Sequence, residues 1–187
     1  MNVKIFNFNE SFLDDIRYIN VAVSSHPNKP LEEKKLCQYL YIDYYALNAT
    51  DNCFVAINED NNEVVGYVIA ENNLQRYKNI ILNDYMPIAI SLREDFKQYL
   101  ENEVKGYQSF EKEYPAHLHM DVKPGNQHLG IGSMLIQHEF KHLKDIGCKG
   151  VMLGCSATNI RANNFYQKNG MDIICQKEGT NLRGKKL

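Results

Sequence analysis

The five cysteines, Cys37, Cys53, Cys148, Cys155 and Cys175, are odd in number and widely spaced, with no C-x-x-C pair and no zinc spacing. Free thiols, buried or half-buried in reducing surroundings, are the expectation. No run reaches the roughly 18 apolar residues of a membrane span, and no N-terminal apolar stretch resembles a signal peptide. The chain also lacks a basic run and carries a formal charge of −2, which argues against nucleic acid as the main partner. These absences predict a cytoplasmic protein that meets small molecules or peptides and no membrane. What is present is ordinary for a globular chain: 187 residues, 44% apolar and 24% charged. No break in composition divides them, so a single domain over 1–187 is expected.

The most informative stretch is Asp121 to Gly132. Ala116 to Val122 reads as a strand, and Leu129 to Ile146 carries Ile131, Leu135, Leu143 and Ile146 at helical spacing. Pro124 and Gly125 separate the two. The joining turn has no Gly-Lys-Ser/Thr ending and lacks the third glycine of the dinucleotide fingerprint, so neither common nucleotide loop applies. Gly130 and Gly132 instead leave room for a ligand against the backbone amides of a helix N-terminus, where unpaired donors and the helix dipole favour an anion. A pyrophosphate is the expected guest.

Downstream, Gly150 to Cys155 forms another apolar strand, followed by a helix holding Asn159, Phe165 and Tyr166 and ending at Asn169-Gly170-Met171. With Gln127-His128-Leu129-Gly130-Ile131-Gly132, this combination resembles the GCN5-related N-acetyltransferase superfamily. The resemblance rests on motifs from about Ala116 onward and on the order of elements before that. It implies an α/β fold of the α+β type, a mixed, mostly antiparallel sheet flanked by helices. It also implies acetyl-coenzyme A as cosubstrate and an amine of a small molecule or peptide as acceptor. Gln127, His128, Leu129, Gly130, Ile131 and Gly132 would hold the pyrophosphate, and the backbone of Met120 to Val122 the pantetheine arm. Asn159 would contact the pantetheine side, and Tyr166 would protonate the leaving thiolate. Met171 stands where the family usually has Phe; as a core residue, Met can replace it. A homodimer is common among such folds.

Leu118-His119-Met120-Asp121-Val122 and Val151 to Ala157 carry a narrower likeness, to the acetyltransferase-like domain of animal O-GlcNAcases and its free-standing bacterial relatives. That branch keeps a second reading in view, a non-catalytic binding module.

From the start of the chain, Val3 to Phe8 reads as a strand. Ser11 is placed to cap a helix through Phe12, Ile16, Ile19 and Val23, which His26-Pro27-Asn28-Lys29-Pro30 would end. The next helix, Leu31 to Leu47, is rich in tyrosine: Tyr39, Tyr41, Tyr44 and Tyr45 are either half-buried core or the wall of a substrate pocket. Cys53 to Ile57 and Glu63 to Ala70 form a hairpin. A mostly helical insertion then covers about 72–114, between strands 3 and 4, with periodic parts at Gln75 to Leu82 and Ser91 to Val104. It reads as a solvated helix pair, a lid, an interface or added core. The basic tail from Gln176 leaves at most a brief final strand.

Acetyl transfer from a thioester needs a neutral nucleophile, a positioned carbonyl and a proton for the departing thiolate, and no covalent enzyme intermediate. Tyr166 lies two helical turns beyond Asn159, which predicts that both face one side. A phenol of pKa about 10 can protonate a thiolate whose acid has a pKa of about 8.5 only if the product is stabilised in place. For the base, His117, His119 and Asp121 alternate along one strand and share a face if no bulge intervenes. Either His119 or Asp121, through a water, can accept the amine proton. The same spacing leaves a third reading open, a metal-dependent hydrolase using His117, His119 and Asp121, though further ligands at motif spacing are missing.

Overall fold

The computed structural model describes residues 1–23, 29–177 and 179–187. Seven strands form one sheet: β1 (Val3–Asn7), β2 (Cys53–Asn58), β3 (Glu63–Glu71), β4 (Ala116–Val122), β5 (Gly150–Ser156), β6 (Asp172–Lys177) and β7 (Thr180–Lys186), in the order β1-β2-β3-β4-β5-β7-β6. Every neighbouring pair is antiparallel except β4 and β5. A parallel pair needs a crossover, and α7 (Ile131–Asp145) supplies it. The α+β architecture and the insertion between strands 3 and 4 are as expected.

One face of the sheet is covered by α1 (Leu13–Val23), α2 (Leu31–Gln38) and α3 (Tyr44–Asn48), with a π-helical turn at Tyr39–Asp43 joining the last two. The insertion joins this side as α4 (Leu74–Ile80), a π-helical turn (Ile81–Tyr85), α5 (Met86–Leu92) and α6 (Phe96–Gln108). On the other face α7 lies across β1 to β4, and the last helix, α8 (Ile160–Lys168), packs beside β5. Among the described residues no helix is long and apolar enough to cross a membrane.

Two local expectations change, one falls outside the described residues, and one of the open readings of the insertion is selected. Asn9, and not Ser11, opens the first helical segment, because its side chain accepts the Ser11 amide at 3.0 Å ahead of a 3-10 turn at Glu10–Phe12. The stop expected at His26, Pro27 and Asn28 lies outside the described residues. The insertion is not a solvated pair: Leu74, Tyr77, Ile81, Ala89, Phe96, Leu100, Val104 and Tyr107 are buried and join the core on that face. Its second periodic part is not one helix, since the chain is extended at Arg93 after α5 and turns into α6.

The tail also differs from expectation. Far from brief or missing, β7 inserts between β5 and β6 and pairs along its full length with β5. Its inward residues are polar. Asn181 donates to Asn163 Oδ1 at 2.8 Å, and Arg183 donates to Asn163 Oδ1 at 3.1 Å, to the Met171 carbonyl at 2.7 Å and to Gln167 Oε1 at 3.0 Å. Buried polar groups are tolerated when bonded in this way.

Candidate active site

β4 organises the site because its two faces and one edge do different things. The pairing with β3 runs without a bulge from Gly66↔Val122 to Glu71↔His117, so His117, His119 and Asp121 do share a face. Leu118, Met120 and Val122 point the other way, into the core beneath α7. Pairing with β5, in contrast, is confined to Ala116↔Val151 and His117↔Met152. Beyond His117 the two strands part. The Lys123 amide donates to the Val65 carbonyl at 2.9 Å, so the alternation of an antiparallel ladder turns the backbone of Asp121 and His119 toward β3. The backbone groups of Met120 and the Val122 amide are thereby left on the open edge, while the Leu118 amide closes the last pairing with β5.

On the first face Asp121 sits opposite Tyr67, whose hydroxyl donates to its carboxylate. Asn20 of α1 donates to Asp121 Oδ2 and to the Tyr67 hydroxyl, each at 3.3 Å. Burial raises the Asp121 pKa to about 6, against the lowering effect of these two hydrogen bonds. The Tyr166 phenol is pushed above its ordinary value by burial, then by the nearby charge of Asp121 and by Cys155. It is a weaker acid than its free pKa implies.

The two histidines behave differently from Asp121. Burial lowers the His119 pKa to about 4, so it is neutral and only weakly basic at neutral pH. His119 packs against the rings of Tyr41 and Tyr45 at 4.7 and 5.2 Å. His117 is fully buried, its Nδ1 is 2.6 Å from the Tyr45 hydroxyl, and desolvation drives its pKa well below the usual value. It belongs to the core. Among the described residues no group of three or more His, Cys, Asp or Glu side chains is gathered to hold a metal ion. His117, His119 and Asp121 are accordingly not joined by a further ligand among the described residues.

The turn after β4 brings the expected residues to the mouth of the open edge. Gln127 donates its side-chain amide to the Val122 carbonyl at 3.1 Å, which ties the turn to the strand end. His128 (φ 68°) and Gly130 (φ 84°) are both left-handed and flank the exposed Leu129. Gly130 then serves as N-cap of α7 with no side-chain cap bond, so the first amides of the helix keep their donors for another partner. Ile131 is buried and anchors the helix start. A Cβ on Gly132 would lie 3.1 Å from the Phe165 ring, so glycine there lets α7 close on α8.

Asn159 is placed differently from its expected role. It is the N-cap of α8, accepting the Ala162 amide at 3.0 Å, with a non-helical backbone. Its side-chain oxygen is thus already engaged within the helix start. Tyr67 and Asn20 were not anticipated from sequence. The one available signal was Tyr67 itself, a hydroxyl in the apolar run Val64 to Ala70, because a buried tyrosine needs a partner.

Comparison with known proteins agrees with this fold. The SsHAT crystal structure superposes with a TM-score of 0.87 at 19% identity, covering 100% of this chain and 98% of that one. The PaiA N-acetyltransferase from Thermoplasma acidophilum, solved in complex with coenzyme A, gives 0.63 at 16% identity, with 100% of both chains covered. The Drosophila melanogaster polyamine N-acetyltransferase, which catalyses formation of N-acetylagmatine, gives 0.67 at 13%, again with 100% of both chains covered. At these identities the likeness is one of fold. The family model for acetyltransferases of the GNAT family matches residues 19–171, from α1 through the turn to the end of α8, and the chain therefore belongs to that family.

Proposed function

We propose that the protein transfers an acetyl group from acetyl-coenzyme A to an amine by direct attack, at the open edge of β4. The observation that carries this reading is the convergence of Asp121, held by Tyr67 and Asn20, with Tyr166 beside the open backbone edge at Met120. Acetyl-coenzyme A is the cosubstrate and supplies an activated thioester. The chain's groups fit it: the uncapped first turn of α7, with His128, Leu129, Gly130, Ile131 and Gly132, offers amide donors to the pyrophosphate. Gln127 holds that turn in place, and the edge of Met120 and Val122 can pair with the pantetheine amides.

Asp121 is the better base. With a pKa of about 6 it is ionised at pH 7 yet close enough to neutrality to accept a proton, directly or through water. His119, at about 4, is a weaker candidate. The amine nitrogen forms the new C–N bond as the C–S bond breaks, Asp121 takes the proton that the nitrogen loses, and Tyr166 gives one to the sulfur. Backbone donors on the Met120 edge stabilise charge developing on the carbonyl oxygen.

The burial of Tyr166 favours one competing reading, a module that binds acetyl-coenzyme A without turnover, because its proton is hard to release. Thiol release from acetyl-coenzyme A with an amine acceptor separates the two. Transfer predicts that Tyr166→Phe lowers kcat by about 10²-fold or more while leaving acetyl-coenzyme A affinity within a few-fold. Full turnover by Tyr166→Phe would remove Tyr166 from the acid role, and no turnover by the wild type with any amine would favour the module.

A further inference from the structure

α6 carries Tyr99, Glu103 and Tyr107 at intervals of four residues, which places them in one stripe along the helix. Both ends of the stripe are fixed against the acceptor side of β4. The Tyr99 hydroxyl is hydrogen-bonded to that of Tyr41, whose ring centroid is 4.7 Å from His119. Tyr107 stacks on His117 at 4.5 Å with the rings 10° from parallel. Glu103, between them, is partly exposed and shares a side-chain hydrogen bond with Tyr107, the next residue of the stripe. None of the ion pairs among the described residues involves it. Lys29, at the start of the neighbouring helix, directs its ammonium to Cys37 Sγ at 3.8 Å. His117 Nε2, under the Tyr107 ring, is fully buried and has no hydrogen-bond partner among the described residues. Burial raises the Glu103 pKa to about 7, as befits a carboxylate with no cation beside it.

We propose that this end of the cleft receives a second cationic group of the acceptor, which makes the substrate class an aliphatic diamine or polyamine, or an amine bearing a guanidinium. The inference rests on the acetyl-transfer reading for the position of the reacting nitrogen, near Asp121. His119 and His117 lie two and four residues along β4 from Asp121, so the two cationic centres are separated by roughly 7 to 13 Å. Glu103 supplies a charge-assisted hydrogen bond, and the rings of Tyr41 and Tyr99 offer their faces to the cation. A monoamine of equal length leaves the carboxylate without a counter-charge, which is the kind of mismatch that discriminates strongly.

The test is calorimetric titration of the intact protein with hexamethylenediamine and with hexylamine, in the wild type, Glu103→Gln and Glu103→Asp. The wild type should bind the diamine about tenfold or more tightly than the monoamine. Glu103→Gln should bring the two to parity, and Glu103→Asp, which keeps the charge, should retain part of the preference and guards against a misfolded variant. Equal affinities in the wild type, binding of neither amine, or an undiminished preference in Glu103→Gln would overturn the inference. Thiol release with acetyl-coenzyme A keeps the two claims apart. A Glu103-dependent preference without transfer would sink the transfer reading and leave the cation subsite standing. Transfer to both amines with equal kcat/KM would do the reverse.

Discussion

At the scale of single residues, the site is defined by how burial moves protons. Asp121 sits near 6 because desolvation outweighs its two hydrogen bonds. Removing one bond must therefore raise it further. Tyr67→Phe should shift the acidic limb of the kcat/KM profile to higher pH, by up to about one unit, with little change on the plateau. An unmoved limb would mean that Asp121 is not the base. Glu139 of α7 offers a stability counterpart: it is fully buried, neither oxygen has a hydrogen-bond partner among the described residues, and burial raises its pKa well above the ordinary value. Below the unfolded value of about 4.3 both states hold the proton and stability is intact. As pH rises past that value the unfolded state ionises first, so stability falls until the folded pKa is passed. Glu139→Gln removes this loss. The variant should be more stable than the wild type by roughly 1–3 kcal/mol at pH 7 to 8 and gain less at pH 4 in urea unfolding. A variant less stable at every pH would contradict this account of Glu139.

At the scale of elements, what was legible in the sequence was local. Pro124-Gly125 and the glycines after it announced the turn, and the alternation of His117, His119 and Asp121 announced their common face, because both depend on near neighbours in the chain. The turn can be tested at Gly130, where φ is 84°. Gly130→Ala should cost about 1–2 kcal/mol of stability in urea unfolding and weaken acetyl-coenzyme A, and an unchanged midpoint would show that the left-handed cap is not required. What was not legible depended on distant partners. β7 hid behind Lys177, Arg183, Lys185 and Lys186, since its inward positions are Asn181 and Arg183, which are acceptable inside only because Asn163, Gln167 and Met171 meet them. Tyr39, Tyr41, Tyr44 and Tyr45 likewise read only as half-buried core or the wall of a pocket. Tyr44 proves to be buried with its hydroxyl 2.5 Å from Glu71, and Glu71 is in turn held by Arg76. The roles of Tyr67 and Asn20 follow from β3 register and the placement of α1, neither of which a periodicity reveals.

At the scale of the whole molecule, the sheet is continuous but its centre is opened by design of the pairing: β4 and β5 share two register pairs and then separate. β3 secures one side of the gap along its length, and β7 secures the other by pairing with all of β5. The gap is thus framed on both sides by paired strands, with the N-terminus of α7 following the end of β4. Such a preformed cleft predicts that binding adds to stability without a large rearrangement. Thermal unfolding with and without acetyl-coenzyme A, with acetyl-pantetheine as the control that lacks the pyrophosphate, tests this most directly. Ligand at a hundredfold over its dissociation constant should add about 2.7 kcal/mol and raise the midpoint by roughly 5 to 10 °C, while acetyl-pantetheine at the same concentration should give a far smaller shift. No shift with millimolar acetyl-coenzyme A, or an equal shift with acetyl-pantetheine, would contradict the account of the cleft and of the turn that closes it.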